Sequence, residues 1–88
     1  FNVAPTLVLA IMRAESQFNK DAMSPVGARG LMQIMPYTAT HLARLIGDQF
    51  GDDNSLFQPE ISIKYGARYL SRLQKKFQNQ VPLVAAAY

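Results

Sequence analysis

Glu15 closes a nearly unbroken apolar run, Val3-Ala4-Pro5-Thr6-Leu7-Val8-Leu9-Ala10-Ile11-Met12-Arg13-Ala14, and its setting points to chemistry more directly than that of any other carboxylate in the chain. The apolar residues of this run go round the whole circumference of a helix, the pattern of a buried one. A carboxylate at the C-terminal end of such a helix faces the negative pole of the helix dipole, and burial adds a desolvation cost. Both effects favour the protonated form. A proton held near neutral pH is what a general acid needs, so Glu15 is the first candidate for acid–base work.

The other acids have plainer settings. Asp48, Asp52 and Asp53 lie in a polar loop, where solvation is expected. Glu60 follows Pro59 in the first turn of a helix, where a negative charge suits the dipole. Asp21, in the loop after Glu15, is the one placed to come near it. Most glycosidases flank the scissile bond with two carboxylates, and here one is well placed and Asp21 less so. No cysteine and a single histidine leave no thiol nucleophile and no zinc cluster. His41, behind Thr40, reads as a solvated or capping side chain. Gly27-Ala28-Arg29-Gly30 lacks the preceding strand and the following Lys-Ser of a phosphate cradle. No metal or organic cofactor is called for.

Four helical segments must position these groups, and without a convincing strand the fold class is all-α. The first is expected from Pro5, suited to a first turn, to Glu15 or Ser16. The loop over 17–29 carries turn chemistry at Asn19, Asp21, Ser24-Pro25 and Gly27. Positions 30–34 read as a short helical turn, and Pro36 starts a second helix over 37–46, closed by Gly47. A polar loop over 51–55 follows, with a short hairpin within 47–57 as an alternative. After Pro59 and Glu60, the positions Ile63, Gly66, Ala67, Leu70, Leu73 and Phe77 keep a three-four spacing. Lys64, Arg68, Ser71, Arg72, Lys75 and Lys76 take the other side. The stretch 78–80 breaks this helix, and Val81 begins a fourth.

The segment Glu15-Ser16-Gln17-Phe18, followed by the block from Ser24-Pro25-Val26-Gly27 through Gly30-Leu31-Met32-Gln33-Ile34-Met35-Pro36 to Tyr37-Thr38-Ala39, resembles the catalytic domain of soluble lytic transglycosylases. Pro59-Glu60-Ile61 with Gly66-Ala67-Arg68-Tyr69-Leu70 matches that family's third motif, and Ala86-Ala87-Tyr88 looks like the opening of its fourth. Ser62 departs from the pattern, which usually has Asn there, so a substrate or structural contact is expected to differ.

The resemblance implies a goose-type lysozyme-like helical fold and cleavage of peptidoglycan. Glu15 would protonate the glycosidic oxygen between N-acetylmuramic acid and N-acetylglucosamine, then take a proton from the muramoyl 6-hydroxyl as a 1,6-anhydro ring closes. The substrate's N-acetyl group would assist in place of a second carboxylate. By the same resemblance Tyr88 matches a tyrosine whose hydroxyl reaches the glutamate, Gln33 and Met35 line the sugar cleft, and Ser24 lies near the N-acetyl group. Each also has a plainer reading: a core aromatic for Tyr88, gap filling for Met35, a Ser-Pro turn for Ser24. Gln33, between apolar neighbours, needs a hydrogen-bonding partner in any case. Met32, Ser16 and Phe18 are expected in the core or at the helix end, while Tyr37 is free to stack on a sugar ring.

Length and composition set the frame. At 88 residues, 49% hydrophobic and 17% charged, the chain is one small globular domain at most. The run from Val81 to Tyr88 has no C-cap and no polar exit, so residues 1–88 are expected to be part of a domain that continues, within a larger parent. No apolar stretch reaches the roughly 18 residues of a membrane span. The net charge of +3 suits a polyanionic surface such as nucleic acid or cell wall. A basic run opposite a core stripe is ordinarily a solvated face, so nucleic acid is not expected, and the resemblance implies peptidoglycan glycan strands as the partner. The resemblance places the parent in the periplasm or cell envelope. The rival readings are a lysozyme-type hydrolase, in which water attacks and Asp21 gains a role, and a wall-binding module without turnover.

Overall fold

Proline stands at the first or second position of each of the four α-helices, and none of these four has a side-chain N-cap bond. The ring presets φ and lacks an N–H that the first turn would leave unpaired, so it marks the starts by itself. The computed structural model describes residues 3–78 and 80–88; Asn79, part of the expected break, lies outside them. The elements run α1 (Pro5–Ser16), α2 (Pro36–Leu45), a 3₁₀ turn (Asp53–Phe57), α3 (Pro59–Lys76) and α4 (Val81–Ala87). The architecture is all-α, as expected.

Where a hairpin was the alternative within 47–57, the 3₁₀ turn forms instead. Asp52 caps it, its carboxylate accepting the Asn54 N–H at 3.0 Å. Among the described residues, extended pairing is confined to two isolated antiparallel bridges, Met23 with Arg29 and Arg29 with Ile34, which gather the loop before α2 into a tight fold.

The core is built around Met32, which is completely buried. Ile11 and Met12 of α1, Leu42 of α2, Leu56 of the 3₁₀ turn, Leu70 of α3 and Val84 of α4 belong to the same buried cluster. Each fully buried leucine contributes about 2 kcal/mol relative to an exposed one. Gly66 is needed on the inner face of α3 because a Cβ there would stand 2.6 Å from Met32 Cγ. The inner face of α3 is Ser62, Tyr65, Gly66, Leu70 and Leu73. Gly66, Leu70 and Leu73 lie on it as the spacing predicts, whereas Ile63 is exposed and Ser62 and Tyr65 take the buried positions at its start.

The expectation for α1 needs correction. The helix is not buried all round: Ile11, Met12 and Ser16 are buried, whereas Leu9, Ala10, Ala14 and Glu15 are exposed. The other elements among the described residues pack on one flank of this helix. Among the described residues, no helix is long and apolar enough to cross a membrane.

Candidate functional site

Three helices converge on the backbone of Leu31 and Met32. From α1, the buried Ser16 Oγ lies 2.8 Å from the Leu31 carbonyl and 3.0 Å from its own Met12 carbonyl, so one hydroxyl hydrogen serves both. From α3, the fully buried Ser62 Oγ accepts the Met32 N–H at 3.0 Å. From the end of α4, the Tyr88 hydroxyl donates to the Met32 carbonyl at 2.7 Å. A buried amide left without such a partner costs about 1–3 kcal/mol, so the turn is held firmly against all three helices. Because Ser16 directly follows Glu15, the same bonds set the end of α1 against the turn that carries Gln33.

The backbone leaves α1 abruptly. Gln17 and Phe18 take φ of 52° and 62°, two successive left-handed residues without a glycine between them. Such conformations cost on the order of 1 kcal/mol each and persist where the surroundings require them. The chain turns away at Gln17, two residues after Glu15, whose carboxylate stands exposed in the last turn of the helix. The burial expected from the apolar run is therefore not found at Glu15. Phe18, expected in the core, is half exposed.

Gln33 also takes a left-handed φ, 51°, and its amide nitrogen donates to the carbonyls of Ala22 at 3.0 Å and Gly30 at 2.9 Å. Both amide hydrogens are thus engaged in shaping the loop, and the amide oxygen is the group with capacity for a ligand. Ser24 makes the turn that the Ser-Pro pair suggested: its hydroxyl accepts the Ala28 N–H at 3.0 Å, and its own N–H donates to the Ala28 carbonyl at 2.9 Å. Met35 is half-buried at the N-cap of α2. Tyr37, 72% exposed, has its ring open to solvent.

Burial pushes the Tyr88 hydroxyl far above its ordinary value, and the negative charge of Glu15 and the neighbouring Tyr69 act in the same direction. Tyr88 therefore keeps its proton and remains a donor. Its hydrogen bond goes to Met32, and Glu15 reaches it through charge. Asp21 is exposed and pairs with Lys20 at 3.1 Å. Asp48 is not simply solvated as expected: it binds Lys64 and accepts the Tyr65 hydroxyl at 3.2 Å, tying the loop after α2 to α3. Among the described residues, no group of three or more His, Cys, Asp or Glu is placed to hold a metal ion.

Concavity by itself does not select the site. An open cleft of about 690 Å³ runs along the outer flank of α1, lined by Ala10, Arg13, Ala14, Gln17 and Phe18, and none of the candidate residues lines it. The hydrogen bonds onto Leu31 and Met32 are the stronger indicator, since they join α1, the glycine-bearing loop and Tyr88. Ser62 is the contributor that spacing hid. Its mismatch to the family pattern was the only signal in the sequence.

Comparison with known proteins points one way. The family model described as "Transglycosylase SLT domain" matches residues 1–88. A soluble lytic murein transglycosylase of Salmonella typhimurium is 39% identical over 88 residues, 99% of this chain and 14% of the relative. The crystal structure of the 70 kDa soluble lytic transglycosylase of Escherichia coli superposes with a TM-score of 0.84 at 39% identity, covering 89% of this chain and 13% of that one. The structure of an inactive glutamate-to-glutamine mutant of the lytic transglycosylase Slt from Pseudomonas aeruginosa gives a TM-score of 0.83 at 39% identity, covering 88% of this chain and 12% of that one. The chain thus spans about one-seventh of the length of the Salmonella relative.

Proposed function

The chain belongs to the transglycosylase SLT domain family, and on that premise we propose that it forms part of the catalytic domain of a peptidoglycan lytic transglycosylase with Glu15 as its acid and base. The carboxyl group of Glu15 protonates the glycosidic oxygen between N-acetylmuramic acid and N-acetylglucosamine as the bond to the anomeric carbon breaks. The resulting carboxylate takes the proton of the muramoyl 6-hydroxyl, whose oxygen bonds to that carbon and closes the 1,6-anhydro ring. Water is neither consumed nor released. The substrate's N-acetyl group assists, which accounts for a site with one carboxylate.

The observation that carries this reading is the placement of Glu15. It stands exposed at the end of α1, one residue before a hydroxyl that ties the helix to the Gln33 turn. An inactive glutamate-to-glutamine mutant of a structurally similar relative is consistent with one decisive carboxylate. A glycan strand laid over this end would exclude water from Glu15. Gln33 would offer its amide oxygen, while Ser24 and Met35 would border the sugar and Tyr88 would hold the turn beside Glu15. The substrate lies outside the cytoplasm, so the parent acts in the cell envelope, with further domains around this segment.

The test is mass spectrometry of peptidoglycan digested by the full-length protein and by its Glu15→Gln variant. Anhydromuropeptides from the first, reduced by about 10²-fold or more in the second, are the expected result. Reducing-end products would replace this reading with hydrolysis, and wall binding without any product would replace it with a binding module.

A further inference from the structure

From Ile61 to Tyr88 the chain has no Asp or Glu but carries Lys64, Arg68, Arg72, Lys75 and Lys76. Lys64 is bound to Asp48, and the other ion pair among the described residues is Lys20 with Asp21. Neither pair engages Arg72, Lys75 or Lys76, which are exposed. These three do not form a plain convex face. Together with Arg68, Tyr69, Ser71 and Leu73 they line an open cleft of about 460 Å³ along the C-terminal half of α3. An anionic group entering it meets the three exposed cations beside the half-buried Arg68, with the hydroxyls of Tyr69 and Ser71 on the same lining. Guanidinium and ammonium groups both bind carboxylates by charge-assisted hydrogen bonds.

The position of the cleft indicates the occupant. Tyr69, on its wall, packs against Tyr88 with ring centroids 5.2 Å apart, and Tyr88 is hydrogen-bonded to Met32. Through Tyr69 and Tyr88 the basic cleft is thus joined to the turn that carries Gln33. The muramoyl residues of peptidoglycan bear short peptides with free carboxylates. A recess joined to that turn suits a short anionic chain hanging from the bound sugar. We infer that the cleft lined by Arg72, Lys75 and Lys76 is a subsite for the carboxylates of the peptides attached to the glycan strand. This rests on the proposed function above.

The experiment uses the full-length protein and two polymers, peptide-bearing glycan strands and the same strands stripped of peptide. Affinity is measured in the Glu15→Gln background and turnover with Glu15 intact, each with and without the triple substitution Arg72→Gln, Lys75→Gln, Lys76→Gln. The triple variant is expected to bind peptide-bearing strands about tenfold more weakly at low salt, as three exposed charge pairs would give. The difference should shrink as salt rises. Binding of stripped strands and kcat should stay unchanged. Equal affinity of the parent protein for both polymers, or an equal loss on both, overturns the subsite. So does a triple variant that loses only binding to anionic phospholipid vesicles, which would make the cleft a membrane contact. Peptide-dependent binding with no turnover of either polymer would sink the proposed reaction and leave the subsite standing, whereas binding of neither would remove both.

Discussion

The Tyr88 hydroxyl donates to the Met32 carbonyl at 2.7 Å, joining positions 56 residues apart. Met32 is the side chain at the centre of the core and the residue before Gln33, so this bond ties the last helix to the loop beside Glu15.

Replacing Tyr88 by Phe keeps the ring against Tyr69 and removes only the donor. The buried carbonyl of Met32 then loses its partner, and a destabilisation of about 1–3 kcal/mol is expected. Denaturant unfolding should show a lower midpoint at unchanged slope. An unshifted midpoint would mean that water replaces the hydroxyl freely.

Ser62→Ala removes the acceptor for the Met32 N–H from a site with no solvent access. The expected cost is again about 1–3 kcal/mol. Amide hydrogen exchange gives the sharper reading, because protection at Met32 should fall more than protection along α2. Uniform protection in the variant would show that Ser62 is not what holds this turn.

Glycine is required at Gly30 and merely convenient at Gly27. A Cβ at Gly30 would lie 2.0 Å from the Leu56 carbonyl oxygen, at a φ of +81°, whereas at Gly27 nothing lies within 4 Å. Gly27→Ala should cost about 1 kcal/mol from its left-handed backbone alone. Gly30→Ala should cost at least about 2 kcal/mol more, since backbone must move. Gly30→Val should also misplace Gln33 and Met35 and so weaken sugar binding in whatever fraction folds. Thermal midpoints for the two alanine variants settle the order, and equal midpoints would refute it.

Glu15→Gln should leave stability within about 0.5 kcal/mol, because the side chain is exposed and takes part in no ion pair among the described residues. Its effect on turnover is then attributable to the lost proton. A large drop in the unfolding midpoint would instead assign Glu15 a structural part.

Hydrogen bonds from Lys64 first, then from the Gln49 amide and the Tyr65 hydroxyl, hold Asp48 below its ordinary value of 3.8. A carboxylate lowered on folding stabilises fully above its unfolded value and loses that contribution as pH falls through its lower folded value. Parent protein and Asp48→Asn should differ in thermal midpoint at about pH 6 and converge by about pH 2. The carboxylate is partly open to solvent, which screens the pair, so the difference is small. A gap that persists into acid would trace to packing of Tyr65 and not to charge.

Local chemistry determined the helices of this protein before any contact was known. Prolines at four helix starts, three-four spacing and glycines in turns are short-range signals, and short-range sterics decide them. The Ser24 turn and the core position of Met32 were legible for the same reason. Which flank of each helix is covered was not, because periodicity reports an apolar circumference and only packing decides how much of it finds a partner. That is why α1 is half open and Glu15 exposed, and why the stripe on α3 includes Ser62 and excludes Ile63. The left-handed pair at Gln17 and Phe18 left no glycine as a marker. The bonds that assemble the candidate site, from Ser16, Ser62 and Tyr88 onto Leu31 and Met32, span 15, 30 and 56 residues. Spacing carries no information over such separations, and only the tertiary fold brings these donors and acceptors within reach.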